Sequence, residues 1–174
     1  MAGIFGDRRS SWRRGPGYVV TSAVCALLTA ACSGPDSDTS YQAAAIEASQ
    51  SGDQETAVSL ARKEVARFST PDQCSRTTHY NCGTLALAYG SLAEYQILNG
   101  DKLAGESSFG RAKAALDRTN RANRASATAM VYRDVSEAFW KIGDRRRAVA
   151  VFKEGRAAGG DSWLFMSSAA GVAE

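Results

Sequence analysis

The chain of 174 residues has one histidine, His79, and three prolines. A single histidine excludes a histidine-rich metal site, and no nucleophile or carboxylate is marked out to complete a triad around it. Residues Gly105-Glu106-Ser107-Ser108-Phe109-Gly110 come near a nucleophile elbow. They miss Gly-x-Ser-x-Gly because Phe109 takes the last position, and no strand precedes them. The glycines at 52, 100 and 143 carry no phosphate-loop signature. Strand-like alternation is also missing: Val and Ile are scattered, whereas the helix formers Ala, Glu, Arg, Lys and Leu abound. The chain is therefore expected to be all-α, to have no catalytic residues, and to hold no cofactor or metal.

A long hydrophobic run is absent too. Tyr18 to Ala31 is free of charge, but it falls short of the roughly 20 apolar residues that span a bilayer core. Before it stands a basic front of Arg8, Arg9, Arg13 and Arg14; after it, the small residues Ala30 and Ala31 precede Cys32. A basic start, a short apolar run and a small-residue end describe a secretory signal. Arg8-Arg9 opens like a twin-arginine signal, but Ser10, Ser11 and Trp12 do not continue it. Leu28-Thr29-Ala30-Ala31-Cys32 resembles the lipobox of bacterial lipoproteins. That resemblance implies cleavage before Cys32, lipidation of its thiol, and residence in the bacterial cell envelope. An ordinary secretory signal and an uncleaved anchor are the alternatives. Ser33 in place of aspartate implies the outer membrane, facing the periplasm, if the source is Gram-negative. Residues 1–31 are thus expected to be the signal. Residues 32–39, rich in Ser, Gly, Pro and Asp with no apolar side chain to bury, are expected to form a flexible linker.

Cleavage would remove four arginines and one aspartate and take the formal charge from +3 to zero. The basic pI of 8.7 belongs to the export segment, so nucleic acid is not an expected partner. About 130 residues remain, enough for one domain with a modest core. In an oxidising envelope, Cys74 and Cys82 are expected to pair as a disulfide across a short polar loop. A zinc site using His79 is the alternative, with too few ligands and an unfamiliar spacing.

Residues 40–174 carry a repeated device. Gly52-Asp53, Gly100-Asp101 and Gly143-Asp144 each follow one apolar-periodic stretch and precede another. Glycine can end a helix in the left-handed conformation, and the aspartate can cap the next helix. The flanking stripes agree. Val131, Val135, Ala138, Phe139 and Ile142 face Ala148, Val151, Phe152 and Gly155. Leu85, Ala88, Tyr89, Leu92 and Tyr95 or Gln96 face Phe109, Ala112 and Leu116. Tyr41, Ala44, Ala45 and Ala48 face Val58, Ala61, Val65 and Phe68.

These units resemble tetratricopeptide (TPR) repeats. The third carries Ser136, Phe139, Gly143-Asp144, Ala148 and Phe152, with Gly155 where a second alanine is usual. The second carries Ala93, Gly100-Asp101, Phe109 and Ala112, with Gly105 in place of alanine. The first carries Ala45, Ala48, Gly52-Asp53 and Ala57, with Ala61 where an aromatic is preferred. The hinges at 52, 100 and 143 lie 48 and 43 residues apart, against about 34 in the family. The Cys74–Cys82 loop is expected to absorb the first excess. A longer helix or the polar stretch 118–124 is expected to absorb the second.

The resemblance implies antiparallel helical hairpins stacked as a short TPR-like array, with function in the groove lined by the first helix of each hairpin. Candidate partner-binding residues are Tyr89, Glu94 and Gln96 in one unit and Tyr132, Arg133 and Glu137 in the next. The expected activity is that of a lipid-anchored envelope adaptor binding another protein or peptide, as in outer-membrane assembly, pilus or secretion machines. The alternative is a small periplasmic enzyme or ligand-binding bundle. The arginines at 118, 121, 124 and 145–147 fit either a solvated surface or an acidic or lipid partner. Trp163-Leu164-Phe165-Met166 fits a cap on the last hairpin or a docking segment.

Overall fold

The computed structural model describes residues 41–70, Cys74 and residues 82–173. The signal at 1–31, Cys32 with its linker, and His79 lie outside the described residues. The described part is all-helical: α1 Tyr41–Gln50, α2 Gln54–Phe68, α3 Gly83–Leu98, α4 Lys102–Leu116, α5 Arg121–Lys141 and α6 Arg145–Ala157. Two 3-10 turns follow, Ser162–Met166 and Ala170–Val172. None of the described helices is long and apolar enough to cross a membrane.

The Gly-Asp hinges work through local hydrogen bonds. Gly52, Gly100 and Gly143 take φ of 88°, 88° and 83°, where a Cβ would be strained. Each following amide then turns back into the helix it leaves: Asp53 N–H donates to the Ala48 carbonyl, Asp101 to Gln96 and Asp144 to Phe139, each at 2.9 Å. This is the Schellman closure. The same aspartates accept, through their side chains, from the amides of Thr56, Ala104 and Arg147 and so open the next helix. Glycine satisfies one helix's carbonyls and aspartate the next one's donors, which leaves two antiparallel helices joined with almost no loop.

Three hairpins result, α1–α2, α3–α4 and α5–α6, stacked in chain order. The excess between the second and third hinges is taken up chiefly by α5, which is 21 residues long. Of the polar stretch 118–124, Asn120 caps α5 by accepting from the Asn123 amide at 3.1 Å, and Arg121 onward is helical. Residues 117–120 connect α4 to α5. Between α2 and α3, Cys74 and Cys82 are joined as a disulfide, with Cα atoms 4.8 Å apart. Both cysteines are buried against the main core.

That core lies between the second and third hairpins, where Phe109, Phe139, Phe152, Ile97, Val131, Val135 and Val151 are wholly buried. A smaller cluster of Ala45, Ala57, Val58, Ala61, Leu92 and Tyr95 fastens the first hairpin to α3. Gly105 and Gly155, at positions where alanine was expected, have a packing reason. A Cβ on Gly105 would stand 2.5 Å from Ile97 Cγ1 and 3.1 Å from the Ala93 carbonyl oxygen. A Cβ on Gly155 would stand 2.7 Å from Tyr132 Cβ. The helices approach closely at both points, and only glycine leaves room.

The C-terminal segment caps the third hairpin. Leu164 is fully buried, and Ser136 Oγ donates to the Ala148 carbonyl at 3.0 Å and lies 2.9 Å from Ser167 Oγ. One buried hydroxyl thus ties α5, α6 and the cap together.

Candidate functional site

The three first helices, α1, α3 and α5, carry stripes of similar spacing. On α1 these are Gln42, Ile46 and Ser49; on α3, Ser91, Glu94, Tyr95 and Leu98; on α5, Met130, Arg133, Asp134 and Lys141. Steps of three and four residues keep each stripe on one helical face. Packing turns the stripes toward a single groove of about 410 Å³, to which Gln50 and Gln54 at the first hinge also contribute. Its apolar floor includes Tyr95, which is buried, and Ile46, which is 41% exposed.

Charge sits on the α3 and α5 walls. Arg133 and Asp134 pair at 2.6 Å, with side chains 25% and 22% exposed. Lys141 Nζ is 3.9 Å from Glu94 Oε1, and the Glu94 side chain is 18% exposed. Burial pushes the Glu94 carboxyl up to about 7, with the nearby Asp134 adding to the rise and Lys141 and Arg133 opposing it. Asp134 is also raised, chiefly by burial, with Arg133 opposing. Loss of water costs these carboxylates more than their cations return, because the ion pairs are partly solvated while the acids are recessed. The groove therefore combines apolar surface with charged side chains, among them a carboxyl raised to about 7.

The six residues expected from the sequence separate into distinct places. Glu94 and Arg133 line the groove. Glu137 accepts from the Ser168 amide and hydroxyl at 3.0 and 3.1 Å, holding the C-terminal cap. Gln96 is buried and accepts from Ser108 Oγ at 2.6 Å across the second hairpin. Tyr132 is buried edge-on against Phe109 at 5.0 Å and reaches Glu154 with its hydroxyl. Tyr89 is half-buried, its ring 6.0 Å from the Arg111 guanidinium. Asp134, Lys141, Met130 and Ser91 were not singled out from sequence, although they continue the stripes of Glu94 and Arg133 at helical spacing.

Among the described residues no group of three or more His, Cys, Asp or Glu side chains is arranged to hold a metal. No family model, curated protein or solved structure matches the chain.

Proposed function

We propose that the chain is a non-catalytic adaptor of the bacterial cell envelope. Lipid on Cys32 holds it to the membrane, and its TPR-like hairpins bind an extended segment of another envelope protein. One observation carries this reading: three successive first helices turn matched stripes into one continuous groove. The exposed amide of Gln50 can hydrogen-bond a peptide backbone, while Ile46, Tyr95 and Met130 offer apolar contact for its side chains. Glu94, Asp134, Arg133 and Lys141 select by charge.

The test places a photo-crosslinking residue at Ser91 or Met130 in the groove and, as control, at Gly110 on the exposed side of α4. Irradiation of intact membranes is expected to trap a protein from the two groove positions and none from the control. Recovery of monomer alone from all three would overturn the adaptor reading. Mass spectrometry of the mature N-terminus tests the anchor separately: an unmodified Cys32 would remove it and leave the groove reading standing.

A further inference from the structure

Among the described residues, three of the six arginines at 118–124 and 145–147 are held by polar partners. Arg147 makes a two-pronged pair with Glu106 at 2.5 and 2.7 Å. Arg124 pairs with Asp117 at 2.7 Å, and Arg118 donates to the Cys74 carbonyl at 2.6 Å. Four cations of α6 differ. Arg145, Arg146, Lys153 and Arg156 are exposed and have no carboxylate partner among the described residues. With 3.6 residues per turn they fall within an arc of about 100° on one flank of the helix. The other flank holds Arg147 and Glu154, which are tied to Glu106 and Lys113 of α4.

Large apolar side chains adjoin the bare flank at both ends. The Arg145 guanidinium lies 3.6 Å from the Trp140 ring centroid. The Arg156 guanidinium lies 5.7 Å from the ring of Phe165, which itself stands edge-on to Phe152 at 5.6 Å. Around it Trp163, Phe165 and Met166 are 52%, 54% and 65% exposed. The cap therefore buries Leu164 and leaves its three larger neighbours in solvent. Aromatic side chains beside unpaired Lys and Arg are the composition that settles at the headgroup level of a bilayer. The rings enter the interface, and the cations meet phosphates.

We propose that this flank of α6 and the adjoining cap lie against an anionic phospholipid surface, Arg146, Lys153 and Arg156 on the phosphates and Trp163, Phe165 and Met166 in the interfacial layer. Charge complementarity selects this occupant. Cations spread along a helix without counter-charge match a continuous sheet of phosphates, and the half-exposed rings beside them gain an apolar phase. The inference stands on α6 and the cap and is independent of both the groove and Cys32.

The test uses the full chain with Trp12→Phe and Trp140→Phe, so that Trp163 alone emits. It is mixed with vesicles of phosphatidylcholine, with or without phosphatidylglycerol, carrying brominated acyl chains. Trp163 emission is expected to be quenched in the anionic vesicles and several-fold less in the neutral ones. Adding Arg146→Gln, Lys153→Gln and Arg156→Gln is expected to weaken docking of this flank on the order of 100-fold, at about 1 kcal/mol per basic residue near the surface. Quenching should then fall to the neutral level, whereas Arg62→Gln with Lys63→Gln on α2 should leave it unchanged. Circular dichroism checks that each variant is folded. Trp163 left unquenched by the anionic vesicles would overturn the proposal, and is the result expected if an acidic protein is the true partner. Equal quenching in both vesicle types, or quenching indifferent to the triple substitution, would overturn it as well.

Discussion

Lys141 and Glu94 face each other across the groove, Nζ to Oε1 at 3.9 Å, joining the last turn of α5 to the C-terminal half of α3. The cation does not hold the acid ionised: burial raises the Glu94 carboxyl from an ordinary 4.5 to about 7. A raised carboxyl favours the folded state while protonated, so its contribution is fully present below about pH 4.5 and is lost as the pH rises toward about 7. Glu94→Gln should match the parent near the acid end of this window. Above it, the variant should be more stable by about 1–3 kcal/mol. Thermal melts across the range check this; a variant no more stable than the parent at the alkaline end would contradict it.

Two glycine substitutions should move stability in opposite directions. Gly155→Ala puts a methyl 2.7 Å from Tyr132 Cβ and should destabilise by about 1–3 kcal/mol. Gly110→Ala in α4 meets nothing within 4 Å and should stabilise by about 0.5–1 kcal/mol. Urea unfolding of the two variants reads both.

Ser136→Ala should be costly despite its small size. It removes the hydroxyl that bonds the Ala148 carbonyl and adjoins Ser167, leaving buried polar atoms short of partners, a loss of about 1–3 kcal/mol. Limited proteolysis should show the C-terminal cap released first, since Ser167 loses its tie to α5.

The Cys74–Cys82 bridge closes a short loop. Reduction should lower the unfolding free energy by about 2–3 kcal/mol through the unfolded chain's regained freedom. Neither cysteine should react with a thiol reagent in the oxidised, folded protein. A titre of two thiols from these positions would contradict the pairing.

Much of the fold was legible because its controls are local. A Gly-Asp hinge acts within five residues, so Gly52, Gly100 and Gly143 could be read without their neighbours in space. Apolar spacing likewise marked Val131, Val135, Val151 and Phe152 as core. The groove was less legible. Gln96, one residue beyond Tyr95, faces Ser108 of α4, so it falls within the second hairpin. Tyr132, beside Arg133, packs on Phe109. A step of one residue turns a side chain by about 100°, and an expected groove face carries no label of its own in the sequence.

By itself, the sequence determined the helices, their three hinges and the cysteine pair, since each follows from chemistry between residues close along the chain. Tertiary structure alone decided that Asp134 and Lys141 join Glu94 in one groove, and that Arg147 is held by Glu106 while Arg146, Lys153 and Arg156 stay bare. These outcomes depend on how far one helix is rotated against the next. That rotation is set by close approaches such as Gly155 on Tyr132 and Gly105 on Ile97, between residues that only the packed fold brings together.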